Sequence, residues 1–230
     1  MIENPPLLKI QSRQLDVPQE LIKELATFPT GFIVDAMHGR GALPSSVSAL
    51  AGVELPVNCC GRILTVDPGP GDVLATLAAL SEIQEQDVLV IATGGFDDCA
   101  AIGDRVIGMA KNCGAQAIVT DGLVRDIKGI EKVGLPVFCS GVSPNSPYNS
   151  GPGSIGMAVV IGNVRITRDD VLLADADGAV VIPGEQVQQV VAACHHIASI
   201  ESELDAEVDN GLTVPESIKE LLQSEQTVRL

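Results

Sequence analysis

From Cys59 onward the chain alternates between short apolar runs and longer amphipathic ones. The runs "CGRILTVDP", "DVLVIAT", "QAIVT" and "LPVFCS" are short, rich in Val and Ile, and bounded by Gly, Pro or acids, which predicts strands. Between them, "DVLATLAALSEI" and "DCAAIGDRVIGMAKNCG" carry the 3.6-residue period of helices, the second stopped at Gly114. Strand–helix repetition of this kind implies a mostly parallel sheet with crossover helices. Upstream, Asp16 is placed to cap a helix over "PQELIKELATF", and Thr30 one over "GFIVDAMHG".

After about residue 140 the texture changes. A fifteen-residue loop, "SGVSPNSPYNSGPGS", precedes the β-like pieces "IGMAVVIG", "NVRIT", "DVLLADADG" and "AVVIP", which predict an antiparallel layer. Loops this long are usually functional or mobile. A closing helix spans roughly 184 to 209. The organisation expected is an N-terminal arm (1–15), a single α/β domain (16–210) and a C-terminal tail (211–230).

Composition narrows the function. The chain has 230 residues, 46% of them apolar but only 2% aromatic, so the core is aliphatic. So few rings give no stacking platform for single-stranded nucleic acid. The net charge of −16 repels phosphate backbones. A small anionic substrate would then need a local cation. The six cysteines form no CxxC pair and read as reduced thiols of a cytoplasmic protein. No apolar run reaches membrane-spanning length. P-loop, GxSxG and GxGxxG motifs are absent, and adjacent His195 and His196 on a helix point apart.

Ligands of open α/β sheets bind at the carboxyl ends of strands. Two such ends carry chemistry: "TGGFDD" at 93–98 and "TDGLVRD" at 120–126. Arg125 offers a donor fork matched to a carboxylate. Asp126 is a hard oxygen ligand, and one carboxylate suffices for Mg²⁺ when water and substrate complete its octahedron. A surface Asp–Arg pair at a helix start explains the same residues without function.

"DGLVRD" after "GAQAIVT" resembles the DGxxRD signature of the RraA-like family. "GDVLATLAAL", "DVLVIATGG" and "VVIGNVRITRDDVLLADADGAVVIP" resemble further segments of that family, in order, over about residues 30 to 210. The family includes 4-hydroxy-4-methyl-2-oxoglutarate and 4-carboxy-4-hydroxy-2-oxoadipate aldolases and the regulator of ribonuclease E activity. The resemblance implies a β/β/α swivelling-type domain: a central mostly parallel sheet, a second antiparallel layer, and N- and C-terminal helices. It also implies a homotrimer or homohexamer with active sites between subunits.

For the site, the resemblance implies that Asp126 ligates Mg²⁺ or Mn²⁺ and that Arg125 contacts a 2-oxo acid and its developing enolate. Backbone N–H groups of Gly103, Asp104, Arg105 and Val106 would hold the pyruvate carboxylate. Asp104, with Glu201 (or Glu203) of a neighbouring subunit, would hold a catalytic water. The activity implied is release of pyruvate from a 4-hydroxy-2-oxo dicarboxylate, with oxaloacetate decarboxylation alongside. Two departures from the family pattern are Arg105, in place of an apolar residue, and a 143–153 loop rich in Pro and Asn. The alternatives are a non-catalytic regulator of an RNA-degrading enzyme and a same-fold lyase for another 2-oxo acid. Retention of Asp126 favours the enzyme.

Overall fold

A computed structural model of the chain describes residues 6–229. In chain order the strands are β1 (Leu8–Ile10), β2 (Ser48–Ala49), β3 (Cys59–Asp67), β4 (Val88–Ile91), β5 (Ala100–Gly103), β6 (Ala117–Thr120), β7 (Leu123–Arg125), β8 (Val137–Cys139), β9 (Gly141–Val142), β10 (Gly153–Ile155), β11 (Val159–Ile161), β12 (Val164–Ile166), β13 (Val171–Asp175) and β14 (Gly178–Ile182). The α-helices are α1 (Gln19–Leu25), α2 (Thr30–Ala36), α3 (Leu74–Ala79), α4 (Asp104–Asn112), α5 (Ile127–Val133), α6 (Val187–Asp209) and α7 (Glu216–Gln223).

The centre is a parallel ladder, β3-β4-β6-β8. Its side chains alternate between two cores, as strand periodicity requires. Leu64, Leu89, Ile91 and Ile118 face one way and pack with Ile107 of α4 and Ile130 of α5. Ile63, Val88, Val90 and Val119 face the other way and pack with Leu172, Val181 and Ile161 of the antiparallel strands. That layer has its own outer face, where Leu173, Val180 and Ile182 meet Ile22, Ile33 and Val191 of α1, α2 and α6. The order helices, parallel sheet, antiparallel strands, helices is the expected β/β/α arrangement.

β3 joins the two β layers. Its first half, Cys59 to Arg62, pairs antiparallel with β13, while Ile63 to Val66 pair parallel with β4. The N-terminal arm carries β1, which runs parallel to β10 at the sheet edge. Arg13 then reaches the buried Asp87 at 2.9 Å and fastens the arm to the start of β4.

Three local expectations are corrected. Asp16 does not cap α1. Pro18 takes the cap position, and Asp16 pairs with Arg62 at 2.9 Å. Thr30 is the first helical residue of α2, not its cap, and its N–H and hydroxyl both donate to Asp175 at 2.8 Å. The run expected as one helix over 98–114 is divided: Ala100–Gly103 is strand β5, and α4 begins only at Asp104. Pairing with β7 overrides the helix preference of the Ala-Ala segment.

Candidate active site

Each of the central strands β4, β6 and β8 leads into a strand of a second, smaller parallel sheet, ordered β5-β7-β9. This upper tier stands at the carboxyl ends of the main ladder, where the sequence placed both candidate loops. Asp121 fixes the junction. Its Oδ1 accepts from the N–H and hydroxyl of Thr93 at 2.6 and 3.0 Å, and its Oδ2 from the N–H of Gly95 at 2.9 Å. Three donors occupy that carboxylate, so Asp121 shapes the 93–95 turn.

Arg125 ends β7 and Asp126 follows in a left-handed conformation, φ 64°, ψ 47°. Aspartate tolerates this region better than most residues. The Asp126 carbonyl accepts the N–H groups of Gly129 and Ile130, which starts α5. The bend leaves the Asp126 carboxylate half exposed, with Oδ2 at 3.4 Å from Arg125 Nε. Arg125 Nη1 donates to the Ser146 hydroxyl on the long loop, while Nε is buried and has no hydrogen-bond partner.

β5 pairs with β7 so that Gly103 lies opposite Arg125. A Cβ on Gly103 would sit 2.9 Å from Asp126 Oδ2 and 3.1 Å from Arg125 Cγ, so only glycine lets these side chains lie across it. The next residue, Asp104, opens α4. No side chain caps this helix. Its first-turn N–H groups, those of Asp104, Arg105 and Val106, therefore form an anion-attracting end beside Arg125. Asp104 packs over Gly129 of α5, and a Cβ there would collide with its carboxylate. Gly103, Asp104, Arg125 and Asp126 thus converge as the sequence grouped them. Arg105 is exposed on α4.

Glu201 stands elsewhere. α6 packs on α1 and α2, and no hydrogen bond within the described residues joins Glu201 to Arg125, Asp104 or Asp126. A part for it in this site requires a second copy of the chain. Among the described residues no three His, Cys, Asp or Glu side chains gather into a metal cage. A single open carboxylate fits an ion that keeps most of its water, as Mg²⁺ does, and Asp126 is such a carboxylate. Large cavities of about 610 and 700 Å³ flank the Gly94–Gly95 turn without including Arg125 or Asp126. In the single chain the site is an open shelf.

The sequence profile of the RraA-like family, described as aldolase/RraA, matches residues 30–181. The chain belongs to the RraA-like family. One RraA-like relative, from Halalkalibacterium halodurans, is provisionally named 4-hydroxy-4-methyl-2-oxoglutarate aldolase. It is 36% identical over 172 residues, covering 75% of this chain and 80% of that protein. A solved RraA-like structure from Streptomyces coelicolor, RraAS2, is described as an unusual member of the RNase ES inhibitor RraA protein family. It superposes with a TM-score of 0.75 at 26% identity, covering 84% of this chain and all of that one. An uncharacterised Pseudomonas syringae protein shares the fold at a TM-score of 0.75 and 24% identity, covering 86% and 96%. No helix among the described residues is long and apolar enough to cross a membrane.

Sequence reasoning did not single out Ser146, Gly129 or Asp72 at this RraA-like site. Asp72 is buried below the long loop. Its Oδ2 accepts the N–H groups of Ser150 and Gly151 at 2.7 and 3.0 Å, and its Oδ1 that of Leu74 at 2.7 Å. Burial opposes its ionisation, but these N–H groups outweigh that and hold the carboxyl below the usual carboxylate range. A carboxylate two residues before a helix is a legible capping signal. Its hold on a loop 78 residues away is not.

Proposed function

We propose that this protein is a divalent-metal-dependent lyase that cleaves a 4-hydroxy-2-oxo dicarboxylate to pyruvate and a second oxo acid. The convergence of Arg125, Asp126 and the uncapped start of α4 around Gly103 supports this reading. So does the provisional aldolase name of a 36% identical relative. The chemistry needs a cation where charge collects and donors for a carboxylate, and both are present.

The substrate carboxylate lies against the N–H groups of Asp104, Arg105 and Val106. Arg125 faces the C2 ketone oxygen. The 4-hydroxyl loses its proton to a water held by Asp104, with Glu201 of a neighbouring copy as its second holder. The C4–O⁻ then becomes a carbonyl, the C3–C4 bond breaks, and its electron pair passes into the enolate of pyruvate. Arg125 stabilises the negative charge that gathers on the ketone oxygen. Protonation at C3 completes pyruvate. Asp126 would hold Mg²⁺ or Mn²⁺, which when bound supplies Lewis-acid polarisation of the same oxygens. Oxaloacetate losing CO₂ leaves the same enolate, so decarboxylation is a side activity.

A panel of 4-hydroxy-2-oxo acids and oxaloacetate, assayed for pyruvate with and without EDTA, tests the reading. Turnover that survives EDTA contradicts it. Turnover confined to a different 2-oxo acid keeps the site and changes the substrate. A second reading, a non-catalytic partner of an RNA-degrading enzyme, draws support from the likeness to RraAS2 and from the −16 charge. It predicts capture of such an enzyme by a protein inert on every acid in the panel.

A further inference from the structure

The loop from Ser143 to Gly151 is pinned on both sides of Ser146. Before it, the Ser143 N–H donates to the Val124 carbonyl at 3.0 Å, continuing the β7–β9 edge. The Ala100 N–H donates to the Asn145 carbonyl at 3.1 Å, and Asn145 Nδ2 donates to the Asp98 carbonyl at 2.8 Å. After it, the Tyr148 N–H donates to Gly71 at 2.8 Å, and the Tyr148 carbonyl accepts from Val73 at 2.9 Å. Asp72 then takes the N–H groups of Ser150 and Gly151. Within two residues on either side, Ser146 is tied to β5 and the Asp98 loop through Asn145 and to the turn before α3 through Tyr148. This segment is a strap with a fixed tip.

The tip meets Arg125. The Ser146 oxygen accepts a hydrogen bond from Arg125 Nη1 across 21 residues of chain. No other uncharged side chain holds the guanidinium among the described residues. The Asp126 carboxylate lies 3.4 Å from Nε, yet Nε forms no hydrogen bond. Arginine is among the costliest side chains to immobilise, and its planar fork is useful only when its plane is set. Asp126 cannot both set that plane and serve as the open metal ligand.

We propose that Ser146 is a positioning residue that sets the plane of the Arg125 guanidinium, and that the strap exists to hold Ser146 in place. The inference rests on the reading of Arg125 as the group facing the 2-oxo acid. Ser146 acts through Arg125 and takes no proton.

The variants Ser146→Ala and Ser146→Thr test it, the second keeping the hydroxyl. Steady-state pyruvate release, oxalate affinity by calorimetry with Mg²⁺, and the Arg125 Nε–H resonance by NMR are measured for each. Ser146→Ala should lower kcat and weaken oxalate binding about ten-fold, the scale of one hydrogen bond to a charged group. The rise in KM should be smaller. Ser146→Thr should return both to within about three-fold of wild type, a small fraction of that bond. Because Ser146 is exposed, thermal unfolding should be unchanged. Wild-type kcat and oxalate affinity in Ser146→Ala overturn the proposal. So does equal impairment in the alanine and threonine variants. If the wild-type protein releases no pyruvate, the functional reading fails separately, and the NMR signal decides Ser146. A narrow Arg125 Nε–H line in wild type that broadens in Ser146→Ala supports positioning, and equal line widths overturn it.

Discussion

Arg125 and Asp126 look like an ordinary surface pair when the sequence is taken alone, and their distance, 3.4 Å, does not distinguish a pair from a site. The glycines around them make room for their side chains. Gly103 leaves room across the strand for both side chains, and Gly129 leaves room for Asp104. Gly129→Ala would ordinarily favour α5 by about 1 kcal/mol through helix propensity. Here its methyl displaces the Asp104 carboxylate, so activity should fall while helix content holds, as circular dichroism and pyruvate release can check. Arg125→Ala should lower kcat about 10²–10³-fold, the cost of one lost oxyanion donor. Arg125 and Asp126 were legible as candidates in the motif DGLVRD, and Asp104 only through the family resemblance. The chain order hid Ser146 and Gly129 because their partners lie 21 and 25 residues away, and only β7–β9 pairing and α4–α5 packing bring them together.

Among the elements, the central strands were legible because burial on both faces gives near-continuous Val/Ile/Leu runs. β5 was not. Ala100 to Gly103 is too short to show a period, and it abuts an amphipathic helix. Both expected N-terminal caps failed for one reason. Proline took the cap positions of α1 and α2, and the polar side chains went to distant partners, Arg62 and Asp175. The strap makes a stability prediction. Asp72→Ala removes a buried acceptor of three backbone N–H groups, at a cost of about 2 kcal/mol or more in chemical denaturation. Its pH dependence has a definite sign. The folded carboxyl lies below the usual range, so this contribution is complete above the unfolded value, about 3.9, and is lost as pH falls through the folded one. Unfolding midpoints in wild type should therefore drop in acid more steeply than in Asp72→Ala.

For the molecule as a whole, the two textures of the sequence became the two β layers, and β3 spans both. An assembly is implied only by the family resemblance. The chain itself leaves Ile200, Leu204 and Val208 exposed at a four-residue spacing along α6, with Ile218, Leu221 and Leu222 exposed on α7. A trimer or hexamer would cover such surfaces and bring a second Glu201 to the shelf, so light scattering should give three or six times the 23.9 kDa chain. Thiol chemistry reports on packing. Burial pushes Cys59 and Cys60 up to about 12 and Cys194 up to about 11, whereas Cys113 is exposed. Native protein should show one fast-reacting thiol, Cys113, and yield the deeply buried ones only in denaturant. The central claim is that Asp126 makes this fold a metal-dependent lyase. Pyruvate release from 4-hydroxy-4-methyl-2-oxoglutarate by wild type and Asp126→Asn, each stripped with EDTA and titrated with Mg²⁺, addresses it most directly. Mg²⁺ should restore the wild type and leave Asp126→Asn inactive at every concentration. Equal recovery of both proteins would contradict the claim.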